Sequence, residues 1–324
     1  MTSQPAASTT LAVETQHLTQ RFGRSVAVDD LSLKIAQGGV HALLGPNGAG
    51  KTTVIRVLTT LLRATSGHAI VLGYDVVTQA AQVRQRIAST GQFASLDEDL
   101  TGMENLAILA RLRGLRGRAA KNSAQVMLDA FGLTEAASRQ VRNYSGGMRR
   151  RLDIAASLLV RPELLFLDEP TTGLDPRSRN DVWQAIRTLV SAGTTVILTT
   201  QYLEEADQLA DRVTVLAKGR IAAEGTPSEL KKIVGSGILQ IRFEQADHAQ
   251  QAMGKLSQQY TNLAELNSEG LTVRVRMADT SNAANVVSQL QHDGLHITEF
   301  SLGQPSLDEV FLALTTPQAL KDQP

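Results

Sequence analysis

Gly45-Pro46-Asn47-Gly48-Ala49-Gly50-Lys51-Thr52 is the stretch that decides the fold of this chain. It follows Val40, Ala42, Leu43 and Leu44, which read as a buried strand, and it precedes Thr53, Val54, Ile55, Val57 and Leu58, which begin a helix. Strand, glycine-rich turn and helix in this order match G-x-x-x-x-G-K-[ST], a loop whose backbone N–H groups cradle phosphate oxygens. Glycines let the chain curl until successive N–H groups face inward, and the helix behind them turns its positive end toward the same anion. In such a loop Lys51 supplies a point charge to the β- and γ-phosphates, and Thr52 offers a hydroxyl to Mg2+. A nucleoside triphosphate is therefore the expected ligand. The loop alone leaves ATPase, kinase and GTPase open.

The 324 residues carry 32 Lys+Arg and 32 Asp+Glu, a formal charge of zero. No global field then favours nucleic acid or an anionic membrane. With no cysteine, disulfides and thiolate zinc sites are excluded, and a reducing compartment suits the chain. No run of about 18 uncharged apolar residues occurs, so no membrane span is expected and a membrane role has to come through a partner. Residues 1–10, rich in Ser, Thr, Ala and Gln, lack both a basic start and an apolar run. They read as a frayed tail and not as a secretory signal.

Residues 11–17 and 26–35 alternate apolar and polar side chains, as antiparallel strands do. A further strand is expected over 68–72. From 101 to 159 the pattern is helical, with Thr101 and Glu104 spelling a capping box. The apolar run 164–167 predicts a parallel strand buried on both faces, and 195–199 repeats it. Residues 213–216 pair with 221–223 through Lys218-Gly219. Near Gly225 the composition changes. Thr226, Pro227 and Glu229 open a helix, and Lys231, Lys232, Gly235, Ser236 and Gly237 look like a linker. Strands at 238–243, 271–277 and 295–302 then alternate with helices at 249–258, 283–292 and 307–314, which suggests a small α/β sandwich. It holds no concentrated acid/base pair, metal spacing or Gly-rich loop, so its expected role is interaction or regulation.

Two more motifs narrow the chemistry. Asp168 closes the apolar run beside the phosphate loop, where a Mg2+-bridging carboxylate belongs, and Glu169, expected on the other side of the pleat, can accept a proton from water. Ser145, Gly146 and Gly147 open a helix running from about Met148, a second anion-binding helix start. Both starts are not expected to reach one phosphate within a monomer, so the second would come from a partner copy. Each motif has a plainer reading: an Asp-Glu pair at a turn, Phe22 as a core aromatic, Asp175 as a turn residue before Pro176, Gln92 as a surface residue at a strand end. Arg149–Arg151 has no interleaved aromatics and reads as a solvated face or subdomain contact instead of a nucleic-acid patch. His41 and His68 read as packed residues in apolar strands.

At these residues the sequence resembles the ATP-binding cassette (ABC) ATPases, over 11–225. In the family's order stand an adenine-stacking aromatic at Phe22, the Walker A loop at 45–53, the Q-loop glutamine at Gln92 and the signature at 144–148. Walker B follows at 164–168, then the catalytic Glu169 and a D-loop at 173–176 centred on Asp175. Within the family the sequence is most similar to the daunorubicin-resistance type of drug-export ATPase. The residues carrying that match are Gly91-Gln92-Phe93-Ala94, 144–151, 199–207 and Pro305-Ser306-Leu307-Asp308-Glu309-Val310-Phe311.

The resemblance implies an α/β P-loop NTPase core: a RecA-like sheet, an antiparallel β subdomain and a helical subdomain at about 97–160. A linker at 226–237, a C-terminal regulatory or interaction domain at 238–316 and a tail at 317–324 complete the expected order. It implies ATP held by Phe22, Gly45, Pro46, Asn47, Gly48, Ala49, Gly50, Lys51, Thr52, Thr53 and Gln92, with Ser145, Gly146, Gly147 and Asp175 reaching it across a dimer. Mg2+ would fall to Thr52, Gln92 and Asp168, and catalysis to Glu169, Lys51 and Gln201. The implied partners are a second copy and a membrane permease, with no nucleic acid, and the implied place is the cytoplasmic face of the membrane. The implied task is powering export of a hydrophobic drug-like or lipid-like compound. One residue departs from the general pattern: most of the family has histidine where this chain has Gln201, whose neutral amide still donates a hydrogen bond. The alternatives are a soluble ABC ATPase acting on ribosomes or DNA, and a regulatory ATP-binding module without hydrolysis.

Overall fold

The computed structural model describes residues 10–90, 96–233, 237–260, 263–277, 280–303, 306–307 and 309–311. They fall into two compact units, 1–224 and 225–324. The first unit begins β1 (Leu11–Phe22), β2 (Ser25–Ala36), β3 (Val40–Leu44), α1 (Lys51–Leu58), β4 (Ser66–Val71), β5 (Tyr74–Asp75), α2 (Ala80–Arg86) and β6 (Ile87–Thr90). It continues through α3 (Gly102–Leu112), α4 (Gly117–Ala130), α5 (Gly146–Ser157), β7 (Leu164–Asp168), α6 (Pro176–Ser191), β8 (Thr195–Thr200), α7 (Leu203–Leu209), β9 (Arg212–Ala217) and β10 (Arg220–Gly225).

The alternating strands form an antiparallel sheet in the order β2-β1-β4-β5. The apolar runs form the second sheet, β10-β9-β3-β8-β7-β6, in which β9, β3, β8, β7 and β6 are parallel. Every residue of β3, β7 and β8 is buried, as strands covered on both faces require. Val54, Val57 and Leu58 of α1 join both sheets in one core with Val13, Leu33, Leu43, Phe166 and Ile197. Because β3, β7 and β8 are parallel neighbours, the loops at their carboxyl ends emerge together, where α/β sheets bind ligands.

The helical segment begins at the expected box: Thr101 Oγ1 accepts from Glu104 N at 3.2 Å, and Glu104 Oε2 accepts from Thr101 N at 2.8 Å. Leu106 and Ala110 of α3, Ala120, Ala124 and Leu128 of α4, and Leu152 of α5 are its buried face. Lys218 and Gly219 both take positive φ, 50° and 80°, the requirement of a two-residue hairpin turn between β9 and β10. β6, at the sheet edge, has only Ile87 and Ala88 as apolar residues and gave no strand pattern.

His41 is buried in β3, its Nε2 2.8 Å from Thr214 Oγ1. His68 is different: β4 alternates, Ala69 and Val71 face the core, and His68 is exposed, against the expectation that it is packed. Burial, then the nearby Arg212 charge, lowers the His41 pKa from 6.5 to about 4. The unfolded chain therefore binds this proton first, and the group's contribution is full above pH 6.5 and is lost as pH falls toward 4. The shift corresponds to about 3 kcal/mol. His41→Gln is expected to flatten the decline of urea stability over that range by this amount. An unchanged slope excludes His41 as its source.

In the second unit the stretch expected as linker holds α8 (Pro227–Lys232), because Thr226 and Glu229 cap it reciprocally, and Gly237 already belongs to β11 (Gly237–Phe243). Next come α9 (Ala246–Gln259), β12 (Ala264–Leu266), β13 (Thr272–Met277), α10 (Ala283–His292) and β14 (Ile297–Gly303). The sheet is antiparallel, in the order β12-β13-β11-β14. The order is thus β-α-β-β-α-β, the split βαβ sandwich. The extra strand, β12, escaped the pattern because it is three residues long. Leu239, Ile241, Phe243, Val273 and Val275 face Ala249, Ala252 and Leu256 of α9 and Val286, Val287 and Leu290 of α10. Ser306 and Glu309 cap each other at the start of the last helix, whose expected end at 312–314 lies outside the described residues, as do residues 1–9 and 317–324.

Candidate active site

The loop after β3 is pinned before any ligand arrives. Gly45 N donates to Thr200 O at 3.2 Å, and Gly219 N donates to Ala49 O at 3.2 Å. Gly50 has φ 101°, and a Cβ there would collide with Ala27 O, so glycine is required for both conformation and space. Lys51 is buried; its Nζ donates to Gly45 O at 2.7 Å and Pro46 O at 3.1 Å and lies 3.5 Å from Glu169 Oε1. Burial lowers its pKa, while Glu169 and Asp168 work to keep it charged. Asn47, Gly48, Ala49, Gly50, Lys51, Thr52 and Thr53 line one cavity of 380 Å³ with Phe22, Ala27 and Glu169.

Phe22 reaches this cavity from the end of β1. It closes the β1–β2 hairpin with its ring about half exposed, the posture of an aromatic awaiting a flat partner. Thr52 Oγ1 donates to Asp168 Oδ1 at 3.2 Å, so a hydroxyl and a carboxylate converge as hard oxygen donors. That set fits Mg2+, which takes one or two protein oxygens and fills its remaining positions with water and phosphate. Gln92, the third expected ligand, lies outside the described residues.

Glu169 is not on the pleat of β7, as expected, because the strand ends at Asp168 and Glu169 turns to φ 47°. A non-glycine residue there costs ~1–3 kcal/mol and persists only where its surroundings impose it. Its N–H donates to Thr199 Oγ1 at 3.0 Å, and Thr172 Oγ1 donates to its Oε2 at 3.2 Å. The turn points its carboxylate at Lys51 inside the cavity. Thr199 also donates to Asp168 Oδ1, so this buried hydroxyl holds both acidic residues. In the sequence it only opens the 199–207 stretch that carries the resemblance, with no role of its own. Glu205, from the same stretch and likewise given no role there, is fully buried, and its Oε1 accepts from Thr171 Oγ1 at 2.8 Å and Trp183 Nε1 at 3.3 Å. Burial raises its pKa. Gln201 follows β8 half-buried, and none of its side-chain atoms is hydrogen-bonded among the described residues.

The second helix start forms a separate group. Ser145 caps α5, its Oγ accepting from Met148 N at 3.2 Å. Gly147 has no room for a Cβ against Ser178 Oγ. Ser178 in turn donates from N and Oγ to Asp175, the cap of α6, at 3.0 and 2.7 Å. These bonds hold the exposed Asp175 carboxyl below the usual range. Ser145, Gly146, Gly147 and Asp175 thus gather together, and none of them lines the cavity of the phosphate loop.

A family model described as ABC transporter matches residues 28–172, and one described as ATP-binding protein DrrA1-3-like, C-terminal domain, matches 225–315. The daunorubicin/doxorubicin resistance ATP-binding protein DrrA of Streptomyces peucetius is 51% identical, over 97% of this chain and 94% of that protein. A Nod factor export ATP-binding protein I, from Cupriavidus pinatubonensis, is 34% identical, over 96% of this chain and 93% of its own length. A dimeric ATP-binding cassette solved in a post-hydrolysis state with ADP and Pi has the same fold. Its TM-score is 0.60 at 23% identity, covering 66% of this chain and 98% of that one.

Proposed function

Since the chain belongs to the ABC transporter ATP-binding proteins of the daunorubicin-resistance type, we propose that it powers export by closing on ATP as a head-to-tail dimer. It binds and hydrolyses ATP as the ATPase subunit of an exporter. The observation that carries the dimer is the split of the motifs. The cavity at Lys51 contains Phe22 and Glu169, but the anion-binding start of α5 is not part of it. Each helix start serves a triphosphate only if one copy's loop faces the other copy's Ser145–Gly147.

In that arrangement Lys51 exchanges its hold on Gly45 O and Pro46 O for phosphate oxygens, and Phe22 stacks on the adenine. Glu169 takes the proton of a water aligned with the γ-phosphorus, and Gln201 donates to the same region. Thr52 and Asp168 would hold Mg2+, which would supply charge neutralisation to the triphosphate. The closed dimer binds ATP better than the open one, and that difference is the work available to a membrane partner.

The partner would be a permease docked between the helical segment at 101–115 and the stretch around Gln92, which lies outside the described residues. Ile108 and Leu112 of α3, exposed to 42% and 77%, support this. No helix among the described residues is long and apolar enough to cross a membrane, so attachment to its cytoplasmic face would come through that permease. The cargo is a hydrophobic drug-like or lipid-like compound, a reading supported by the names of the two relatives. The ribosome- or DNA-directed alternative is not favoured, because both relatives match along nearly the whole chain and both names concern resistance or export.

Phosphate release by the purified chain and drug efflux from cells that also carry its permease test this reading. Gln201→Ala is expected to lower both about 10²-fold, as for loss of one preorganised donor. Unchanged turnover removes Gln201 from the site. Hydrolysis without efflux of any hydrophobic compound removes the export role.

A further inference from the structure

We propose that Arg150 is the positioning residue for Glu169, and that through it the α5 helix start of each chain sets the reactivity of that chain's own base. Arg150 belongs to the three-arginine run that the motif set leaves without a role. Its neighbours are engaged elsewhere: Arg149 Nη1 donates to Glu98 Oε1 at 2.9 Å, and Arg151 Nη1 donates to Phe131 O at 3.1 Å and lies 3.4 Å from Asp181 Oδ2 of α6. Arg150 alone of the run points at the end of β7. Its Nη2 donates to Asp168 O and its Nε to Pro170 O, both at 2.9 Å. These carbonyls belong to the residues on either side of Glu169. The guanidinium is itself held by the buried Asp153, 3.3 Å from Nη1.

A guanidinium is rigid and planar, so two of its nitrogens hold two carbonyls at a fixed spacing, whereas a lysine ammonium offers all its donors from one nitrogen. The peptides between those carbonyls are the ones that carry Glu169 through φ 47°. Thr199 holds the Glu169 N–H on one side and Arg150 holds the flanking carbonyls on the other. The left-handed turn that aims the carboxylate into the cavity is thereby imposed, not intrinsic. Arg150 also sits on the helix that Ser145 opens, so a shift of that helix on capping a phosphate is transmitted to Glu169. In a head-to-tail dimer the cap and the base of one chain serve different ATP molecules, and the clamp then links the two sites. The inference rests on the reading of Glu169 as the base.

Arg150→Lys tests it, because the remaining charge still faces Asp153 and protects the fold. The kcat for ATP hydrolysis is expected to fall about 10²-fold, the scale for a misplaced reacting group. The KM for ATP and the thermal midpoint are expected to stay unchanged. Asp153→Asn, which loosens the guanidinium from its other end, is expected to give a smaller fall in the same direction and provides the reading if the lysine variant does not fold. Wild-type kcat in both variants overturns the proposal, as does a fall in kcat matched by a rise in KM and a lower thermal midpoint. In a Glu169→Gln background Arg150→Lys is expected to leave the ATP-held dimer intact, and loss of that dimer moves Arg150 into the sandwich and overturns the positioning role. Glu169→Gln by itself separates the two readings: if it keeps full turnover, the base assignment fails whatever Arg150 does.

Discussion

Glu169→Gln is expected to bring ATP hydrolysis to background while two copies stay locked around ATP. The substitution keeps shape and volume and removes only the charge and the capacity to take a proton. Loss of a positioned general base lowers turnover by about 10²–10⁴-fold. Binding moves the other way, because Glu169 Oε1 lies 3.5 Å from Lys51 Nζ and competes with the γ-phosphate for that cation. A neutral amide releases Lys51 to the nucleotide and no longer repels it, so the closed state persists. Light scattering with saturating ATP reads the dimer, and phosphate release reads the chemistry. A variant that remains monomeric refutes the sandwich. One that releases phosphate at the wild-type rate refutes the role of Glu169.

Ser145→Ala is expected to lose hydrolysis by about 10²–10³-fold, the scale for one oxyanion donor, while each chain keeps its affinity for ATP. The serine has two tasks, and they are separable. Its Oγ accepts from Met148 N as the cap of α5, a contribution of ~1 kcal/mol, and its O–H remains free to donate to a phosphate of the partner's ATP. Ser145→Asp restores the cap but sets a negative charge against the phosphate. The aspartate variant is therefore expected to match wild type in thermal stability and the alanine variant in inactivity. Because Ser145 does not line the cavity at Lys51, neither change is expected to weaken ATP binding by one chain. Wild-type turnover in Ser145→Ala would remove the cross-dimer contact.

Much of this was legible because the relevant physics is local. A phosphate cradle needs its glycines, lysine and threonine within one turn of chain, and the loop after β3 puts them there at the spacing the motif demands. The cap residues Thr101, Ser145, Asp175 and Thr226 act on N–H groups three residues along, so their partners were in the same line of text. Apolar runs announced β3, β7 and β8 because strands buried on both faces tolerate little else. The short edge strands β6 and β12 were silent, since three or four residues carry no period.

Local patterns in the chain thus pointed to a bound triphosphate, to the residues proposed to touch it, and to a small sandwich after them. The aim of the acidic pair, by contrast, is set by contacts that exist only once the chain has folded. Glu169 leaves the pleat of β7 in a left-handed turn held by Thr199, 30 residues later in the chain, and by Arg150, whose donors reach forward across 18 and 20 residues. A hydrogen bond depends on distance and angle in space, not on separation along the chain, so contacts made by folding leave no spacing to read. The same holds for the gap between the two helix starts: each is written locally, but their separation is set by the sheet and helices between them.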